Sequence, residues 1–408
     1  MEHKVSTMHL KIGMYVSGLD RPWMDTPFLI QGFTITDEND IATLQKYCKH
    51  IVIDTTRGID ADDYLDDESA LPTNQRLEQF LAGGKPQVNY VDQHSVEEEL
   101  PLAKKNLDEA TEQISTIMDA VRQGKPLDAK AVRQAVEPII NSVIRNSDAL
   151  MWLTQLRYKN EYTYDRSLDN CAVAIAFGRH MGLPKNDLVT LSIGLLLMDT
   201  GMIKVNDEIL NKKTPLTEDE FDQIKKHVDY SVDILNNTKG IDRDVINIAL
   251  THHERFDGSG YPNGLVGTQA PVYGRMAAII DCYDAMTSQR AYGDAMSPYR
   301  VLQQVYNWRN KYFQDELVEQ FLQCLGVYPT GSLVEMTSGQ VGIVLAQNRT
   351  RRLRPKIMLL LDADKKAYKE YRTVDLVNRV QDEDGNDLNI LHGLDPGAFG
   401  IDPTEFYL

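Results

Sequence analysis

Two adjacent histidines stand at the end of an apolar run with helical spacing, directly before a glycine-rich loop. His252 and His253 follow Val245–Leu250, and the twelve residues Thr251–Pro262 read THHERFDGSGYP. The loop glycines allow the backbone to approach a ligand closely. Paired imidazoles beside such a loop can hold a metal or a ligand, although an ordinary polar helix end can also contain histidines. The combination of side chains in so short a stretch favours a functional site.

Further candidate ligands lie at the ends of other predicted helices. Asp199 follows the apolar run Leu195–Met198, and Asp281 follows the apolar run Ala277–Ile280. Both carboxylates would therefore lie at the end of a buried apolar helix face. A buried carboxylate is costly unless it is paired or bound to a cation. Together with His227 and the paired histidines, these aspartates predict a metal site that converges from separate helices. Taken singly, each aspartate is better explained by a local cap or ion pair, whereas the set taken together favours the metal site.

Length, charge and cysteine usage limit the class of protein. The chain has 408 residues, which predicts two or three domains. Its 43 basic and 60 acidic side chains give a net charge of −17, which disfavours nonspecific binding to nucleic acid or anionic membrane. Four cysteines without CxxC spacing argue against a disulfide framework or a cysteine zinc site. We expect a cytoplasmic protein, since no run approaches the roughly 18 apolar residues of a membrane span and the N-terminus lacks a signal-peptide core.

The apolar periodicity predicts a mainly α fold with small modules at both ends. Residues 1–56 read as a small mixed α/β module in which Asp37 caps a helix. Residues 57–147 read as an acidic linker followed by helices, and residues 148–327 as an all-helical domain. Residues 328–408 change to a period of two and predict a small β-rich module.

Individual elements follow from the same patterns. The predicted helices cover residues 37–49, 97–122, 128–147, 149–155, 165–180, 186–198, 217–236, 241–252, 273–288 and 298–325. The predicted strands cover residues 4–5, 14–16, 50–54, 332–336, 342–345 and 356–361. Thr217 and Glu220 form a possible capping box. Leu19–Phe33 reads as a core-filling loop or, less favoured, a ligand pocket, and the basic cluster Arg349–Arg354 as a solvated hairpin loop.

Two segments resemble a known family. THHERFDGSGYPNG, with IIDCYDAMTSQRAY at Ile279–Tyr292, resembles the HD-GYP family. That family is a branch of the HD metal-dependent phosphohydrolases and cleaves the bacterial messenger cyclic di-GMP. The resemblance covers residues 150–325, and its name-giving tripeptide is intact as Gly260, Tyr261 and Pro262. It implies a helical HD-GYP domain, a role in cyclic di-GMP signalling, and protein partners that bind the GYP loop.

The resemblance also assigns roles to single residues. The positions that match the family's metal ligands are Asp199, His227, His252, His253 and Asp281. Asp199 would be the catalytic aspartate of the His-Asp pair that gives the family its name. Arg290 matches the arginine that holds the nucleotide, and the GYP residues and Arg166 complete the candidate ligand-binding set.

Four positions depart from the family pattern. Arg166 stands where the family has its opening histidine, and Met198 replaces the histidine of the His-Asp pair. Met202 replaces a lysine, and Gly293 replaces a second basic residue near the nucleotide. Each departure on its own could be repacking, but their agreement favours loss of hydrolysis.

The departures remove ligands from one of two expected metal positions. A two-metal phosphodiesterase holds its ions about 3.5–4 Å apart. A thioether is a poor ligand for iron, manganese or magnesium, and a guanidinium does not deprotonate in proteins. We therefore expect one divalent transition metal, iron or manganese, or none. We expect Arg166 to stand where a cation would lie and to pair with Asp199 or Asp281.

Three hypotheses follow from the sequence. The first is a degenerate HD-GYP protein that binds cyclic di-GMP or protein partners with little or no hydrolysis. The alternative is a weak, metal-dependent cyclic di-GMP phosphodiesterase. The third is a protein-interaction scaffold that binds no nucleotide. None of them involves nucleic acid or membrane as a partner.

Overall fold

The computed structural model shows two compact units, Met1–Pro72 and Thr73–Leu408. The described residues are 2–7, 10, 12–23, 26–28, 32–54, 73–156, 163–288, 295–348, 351–378, 380–381 and 385–401.

The first unit is a four-stranded antiparallel sheet with one helix. Its elements are β1 (Glu2–Ser6), β2 (Tyr15–Leu19), β3 (Phe33–Thr34), α1 (Glu38–Tyr47) and β4 (His50–Asp54). The strand order is β1-β4-β2-β3. The Asp37 side chain accepts hydrogen bonds from the backbone of Asn39 and Asp40, so the predicted cap of α1 is confirmed. The short strand β3 was not predicted from the sequence. It pairs with β2 through just two residue pairs, which is too short for an alternating pattern to be recognised.

The aromatic segment of this unit contributes to its core. Trp23, Phe28 and Phe33 pack against a buried cluster that includes Ile51 and Ile53. The rings of Phe28 and Phe33 stack at 4.7 Å. These contacts agree with the prediction that this segment is a loop that fills the core.

The second unit begins with thirteen helices among its described residues. They are α2 (Thr73–Leu81), α3 (Val96–Arg122), α4 (Ala129–Arg145), α5 (Ser147–Leu156), α6 (Thr163–His180), α7 (Lys185–Leu197), α8 (Asp207–Leu210), α9 (Glu218–Lys225), α10 (His227–Asn236), α11 (Arg243–Thr251), α12 (Val272–Thr287), α13 (Pro298–Asn307) and α14 (Asp315–Leu325). A short 3-10 helix, Thr200–Lys204, follows α7. The predicted capping box of Thr217 and Glu220 is confirmed at the start of α9.

Two predicted helices are broken in the structure. The helix predicted over 217–236 breaks at Lys226, and at this break the Ile224 carbonyl accepts from the ring of His227 and from the backbone N–H of Lys226. The helix predicted over 298–325 ends at Asn307 and restarts at Asp315. Asn310 in this gap has a left-handed backbone with φ of 59°, which a continuing helix does not allow. Both breaks depend on local hydrogen bonding that apolar periodicity does not reveal.

Helix α2 lies in the segment that the sequence predicted to be a linker. Leu77 is its one fully buried residue, Phe80 and Leu81 pack against the same core, and polar contacts add to them. Arg76 forms an ion pair with Asp187 at 2.9 Å, and the side chain of Asn74 accepts a hydrogen bond from the backbone N–H of Val272 at 2.7 Å. The apolar stripe of this helix consists only of Leu77, Phe80 and Leu81, which is too short to distinguish a helix from the polar segment around it.

The helical core is built around α6, α7, α11 and α12, which are buried on most sides. Among the described residues, Lys185–Lys204 is long and apolar enough to cross a membrane by composition, but 67% of that window is buried inside this core. Burial of this kind is expected of a central helix in a globular domain.

A five-stranded antiparallel sheet follows the helices. Its strands are β5 (Leu333–Met336), β6 (Val341–Ala346), β7 (Lys356–Leu361), β8 (Ala367–Asp375) and β9 (Ile390–Gly393), in the order β8-β7-β6-β5-β9. The three predicted strands are confirmed. β8 was missed because its residues are mostly exposed, and β9 because only four residues form it.

The sheet packs on the helices through polar and apolar contacts. Asp148 accepts hydrogen bonds from Thr330 Oγ1 at 3.3 Å and from the Gln347 backbone at 3.2 Å. The described part of the basic cluster lies in the connection between β6 and β7, as predicted, and Arg352 donates to Gln323 on α14 at 3.3 Å. Arg349 and Thr350 lie outside the described residues.

Candidate metal centre

Four of the five predicted metal ligands come together in one cluster. The ligand atoms of Asp199, His227, His252 and His253 lie within 4.8 Å of one another. Asp199 precedes the 3-10 helix, His227 is the first residue of α10, and His252 caps the end of α11. The cluster therefore forms where three separate elements meet.

A close approach between backbones brings Asp199 to His227. The N–H of Gly201 donates to Ser231 Oγ on α10 at 2.8 Å. A Cβ at Gly201 would lie 2.1 Å from the carbonyl oxygen of His227, so any larger residue would push the 3-10 helix away from α10. The glycine in this position thus sets the distance between the carboxylate and the imidazole.

Backbone carbonyls orient the two buried imidazoles. Nδ1 of His227 donates to the Ile224 carbonyl at 2.7 Å, and Nδ1 of His252 donates to the Ala249 carbonyl at 2.8 Å. A carbonyl can only accept, so each Nδ1 bears a proton and each neutral ring presents the Nε2 lone pair. The Nε2 atoms lie 3.4 Å apart, and they lie 3.2 and 3.6 Å from Oδ1 of Asp199.

The cluster has the electrostatics of a cation site. Burial would raise the pKa of Asp199, but hydrogen bonds and charges from His227 and His252 lower it well below its usual range. Burial would lower the pKa of His227, but its hydrogen bond to Asp199 raises it above the ordinary value. The carboxylate is thus ionised, and its negative charge favours a proton or a metal cation between the two imidazole rings.

These residues fit a divalent transition metal. Two imidazole lone pairs and a carboxylate oxygen converge on one point, where they repel one another unless a cation or proton lies between them. Imidazole and carboxylate ligands suit iron, manganese and zinc. The backbone carbonyls on Nδ1 supply the outer hydrogen bonds that such ligands usually have.

Asp281, the fifth predicted ligand, lies beside the cluster on α12. Its Oδ2 is 3.7 Å from Nδ1 of His253. Burial and the charge of Asp199 raise the pKa of Asp281. Burial and the charge of His252 lower the pKa of His253 well below its ordinary value. His253 and Asp281 therefore form an edge of the cluster at which protonation of the imidazole and ionisation of the carboxyl group are both disfavoured.

The predicted partner of Arg166 was wrong. Its Nε and Nη2 donate to Oδ2 of Asp284 at 2.9 and 2.6 Å, and not to Asp199 or Asp281. Burial would lower the pKa of Arg166, but the charge and hydrogen bonds of Asp284 raise it, with smaller contributions from Asp281 and Asp199. Asp284 was not singled out from the sequence, although it lies three residues beyond Asp281 on the same helix and thus on a neighbouring face.

Of the other positions at issue, the structure describes Met198 and Met202 but not Arg290 and Gly293. Met198 is fully buried, and Met202 in the 3-10 helix is partly buried. Arg290 and Gly293 lie in the gap 289–294, outside the described residues.

A buried glutamate holds the GYP loop against the cluster. The carboxylate of Glu254 accepts from the backbone N–H groups of Asn263 at 2.8 Å and Leu265 at 2.9 Å. A Cβ at Gly260 would lie 2.3 Å from the backbone nitrogen of Arg255, so the loop turns back at a distance that only glycine permits. The role of Glu254 was not predicted, though its place after the paired histidines was a signal.

Within the GYP loop, the tyrosine contacts the cluster of candidate metal ligands directly. The ring of Tyr261 stacks on His253 with a centroid distance of 4.6 Å and an interplanar angle of 28°. The backbone N–H of Tyr261 donates to the His253 carbonyl at 3.2 Å. The peptide bond between Tyr261 and Pro262 is cis. The predicted ligand-binding residues of the loop therefore form one wall beside His253.

Three family models match successive parts of the chain. Residues 2–132 match a model described as a domain of unknown function, DUF3391. Residues 148–317 match the HD domain, and residues 333–381 match the KOW domain associated with HD domain.

Curated proteins and a solved structure are similar to the chain. "Cyclic di-GMP phosphodiesterase PA4108" from Pseudomonas aeruginosa is 31% identical over 378 residues, which cover 92% of this chain and 89% of that protein. "3'3'-cGAMP-specific phosphodiesterase 2" from Vibrio cholerae is 36% identical over 143 residues, which cover 35% of this chain and 27% of that protein. A structure of Bd1817, a HDG"Y"P protein from Bdellovibrio bacteriovorus, has a TM-score of 0.46 at 13% identity, over 79% of this chain and 98% of that one. At that TM-score the likeness supports no conclusion.

Proposed function

Because the chain belongs to the HD-GYP family, we propose that it binds cyclic di-GMP as a signalling protein with little or no hydrolysis. The observation that most supports this proposal is the ion pair of Arg166 with Asp284, beside a cluster that offers ligands for a single ion. A fixed guanidinium stands at the position where the family has its opening histidine. The site thus combines candidate ligand-binding side chains with ligands for one metal ion, where a two-metal enzyme needs two sets.

One divalent transition metal, iron or manganese, would be held by Asp199, His227 and His252 with help from His253. When bound, such an ion polarises a phosphoryl oxygen as a Lewis acid. The protein's own contribution is to orient these ligands through the carbonyls of Ile224 and Ala249.

A second ion would lack ligands and would meet a positive charge. Met198 offers a thioether where the family has an imidazole, and Arg166 offers no lone pair. The Arg166 guanidinium already neutralises part of the acidic charge near Asp281. Loss of one ion removes stabilisation of the attacking and leaving oxygens, which is worth several kcal/mol in phosphoryl chemistry.

Binding of an anionic nucleotide requires local cations, since the chain has a net charge of −17. Arg166 and Arg290 are the proposed cations, and the wall formed by Tyr261 beside His253 supplies a planar surface. The same GYP loop could instead bind a protein partner. The scattered cysteines, without the spacing of a disulfide framework, support a cytoplasmic location.

A weak metal-dependent phosphodiesterase is the second candidate. The four-ligand cluster is complete, and Asp281 lies 3.7 Å from His253 at its edge. The relative that matches 92% of the chain is named a cyclic di-GMP phosphodiesterase.

Binding and turnover measured on one preparation distinguish these functions. We expect calorimetric titration to detect cyclic di-GMP binding, while chromatography detects no linear or mononucleotide product with manganese or iron supplied. Product that disappears in His252→Ala would establish the weak enzyme instead. Absence of binding to cyclic di-GMP and to 3'3'-cGAMP would favour the interaction scaffold.

A further inference from the structure

An exposed aromatic side chain lies beside the GYP loop. Phe221 on α9 is 44% exposed. Its ring lies 6.3 Å from that of Tyr261, with an interplanar angle of 82°. Because Tyr261 stacks on His253, one ring separates Phe221 from a proposed metal ligand. The exposed aromatic surface is therefore continuous with the metal centre.

A lysine of the same helix lies over both rings. Lys225 Nζ is 4.7 Å from the centroid of Phe221 and 5.7 Å from that of Tyr261. It also forms an ion pair with Asp222 at 2.8 Å. A cation over two aromatic rings is favourable, and it places hydrogen-bond donors at the border of the exposed ring.

We propose that Phe221 and Lys225 bind one guanine base of the cyclic dinucleotide, an inference that rests on the proposed function. The exposed face of Phe221 stacks on the base, as aromatic side chains do in single-stranded nucleic-acid sites. Lys225 donates to guanine O6 and N7, which are both acceptors. Adenine has an amino donor in place of O6, so Lys225 favours guanine over adenine.

The local charges favour a base over a phosphate at this position. The carboxylate of Asp222 lies within 2.8 Å of Lys225 Nζ and would repel a second anion. The base is the planar, uncharged part of the ligand, whereas its phosphates need the cations and the metal cluster. A dinucleotide with its phosphates at the cluster would extend one base past Tyr261 to Phe221.

The test measures dissociation constants by calorimetry, with manganese present, for cyclic di-GMP and cyclic di-AMP. We expect Phe221→Ala to weaken cyclic di-GMP binding about 10-fold and Phe221→Trp to preserve it. Phe221→Leu keeps apolar bulk without an aromatic face and should behave like Phe221→Ala. Lys225→Met should weaken cyclic di-GMP binding more than cyclic di-AMP binding, because adenine offers only the N7 acceptor where guanine offers N7 and O6.

A matched control is available in the C-terminal sheet module. Phe399 is 51% exposed and has Lys365 Nζ at 4.9 Å from its ring centroid, so Phe399→Ala removes a similar cation–aromatic pair. We expect this variant to bind like the unmodified protein. If the unmodified protein binds cyclic di-GMP and Phe221→Ala or Phe221→Leu binds equally well, the base-stacking inference is overturned while the proposed function stands. If the unmodified protein binds no cyclic dinucleotide, both are overturned.

Discussion

The guanidinium of Arg166 donates two hydrogen bonds to one oxygen, Oδ2 of Asp284, and Asp284 lies three residues beyond Asp281 on α12. The two carboxylates thus occupy neighbouring positions on one helix. Asp281 adjoins the cluster of candidate metal ligands through His253, whereas Asp284 is paired with the guanidinium of Arg166. This arrangement places a permanent positive charge next to a site that attracts cations.

We expect purified protein to contain at most one tightly bound transition-metal ion per chain. Four ligand atoms converge in the cluster, and His252→Ala should release the ion because it removes one of them. Elemental analysis against protein concentration measures the stoichiometry. His392→Ala, on the exposed strand β9, is the control and should retain the ion. Two or more ions per chain would contradict the one-site interpretation.

Restoring the family's residues should restore the second ion. Arg166→His removes the fixed charge, Met198→His supplies an imidazole, and Met202→Lys returns a donor for a phosphate oxygen. Ligands of one ion act together, so each single variant should do little and the triple variant much more. Bound metal and cyclic di-GMP cleavage are the measurements. A folded triple variant that binds no additional metal would show that the backbone, and not only the side chains, has diverged.

The single substitution Arg166→His also tests a structural role of Arg166. The side chain of Asp284 is 5% exposed, and Arg166→His removes the guanidinium that donates two hydrogen bonds to its Oδ2. We expect the free energy of unfolding to fall by roughly 1–3 kcal/mol. Adding Asp284→Asn should recover part of the loss because it removes the buried charge. Urea unfolding of the single and double variants measures both effects, and equal stability of Arg166→His and the unmodified protein would contradict this role.

Glu254→Ala should loosen the GYP loop without altering a metal ligand. Two backbone N–H groups, of Asn263 and Leu265, would lose a shared carboxylate acceptor. Hydrogen bonds to charged groups contribute about 1.5–3 kcal/mol each, so amide hydrogen exchange at these residues should accelerate strongly. Asp257→Ala removes a carboxylate that bonds only Ser259 among the contacts found in this loop, and it is the control. Unchanged exchange in Glu254→Ala would refute the proposed anchoring.

The buried carboxylate of Glu99 predicts a pH dependence of stability. Burial would raise its pKa, but hydrogen bonds from Arg145, Ser142 and His94 lower it below the ordinary 4.5. A carboxylate with a lowered folded-state pKa stabilises above its unfolded value and loses that contribution as the pH falls through its folded pKa. We expect Glu99→Gln to lose about 1–3 kcal/mol at pH 7, with a smaller difference as the pH falls below the unfolded value. Urea unfolding across this range is the measurement, and exposed Glu109→Gln should show almost no effect.

Sequence reasoning identified the side chains that come together at the site better than the contacts that they make. The paired histidines and the aspartates at helix ends are visible because their residue types and spacing are unusual. The choice of Arg166 between Asp281 and Asp284 is not visible, since it depends on the rotation of α12 about its axis. Glu254 was likewise missed: its place after the paired histidines was a signal, but the backbone N–H groups that it accepts from are not visible in the sequence.

The fold was predicted where an apolar pattern exists and missed where polar contacts decide. Helix α2 and strand β8 bury few residues, so periodicity could not reveal them. The break before His227 depends on a side-chain hydrogen bond to a carbonyl, which propensity does not record.

The polar docking of α2 also bears on which fragment of the chain can fold by itself. The match to the HD domain begins at residue 148, yet the buried guanidinium of Arg275 on α12 is paired with Glu78 of α2, and the first backbone N–H of α12 is capped by Asn74. A fragment that starts at residue 148 would therefore keep a buried cation without its counter-ion and a helix end without its acceptor. We therefore expect the start of the HD-domain match to differ from the start of an autonomously folding unit, because the helix with Asp281 and Asp284 contacts residues some seventy positions before residue 148.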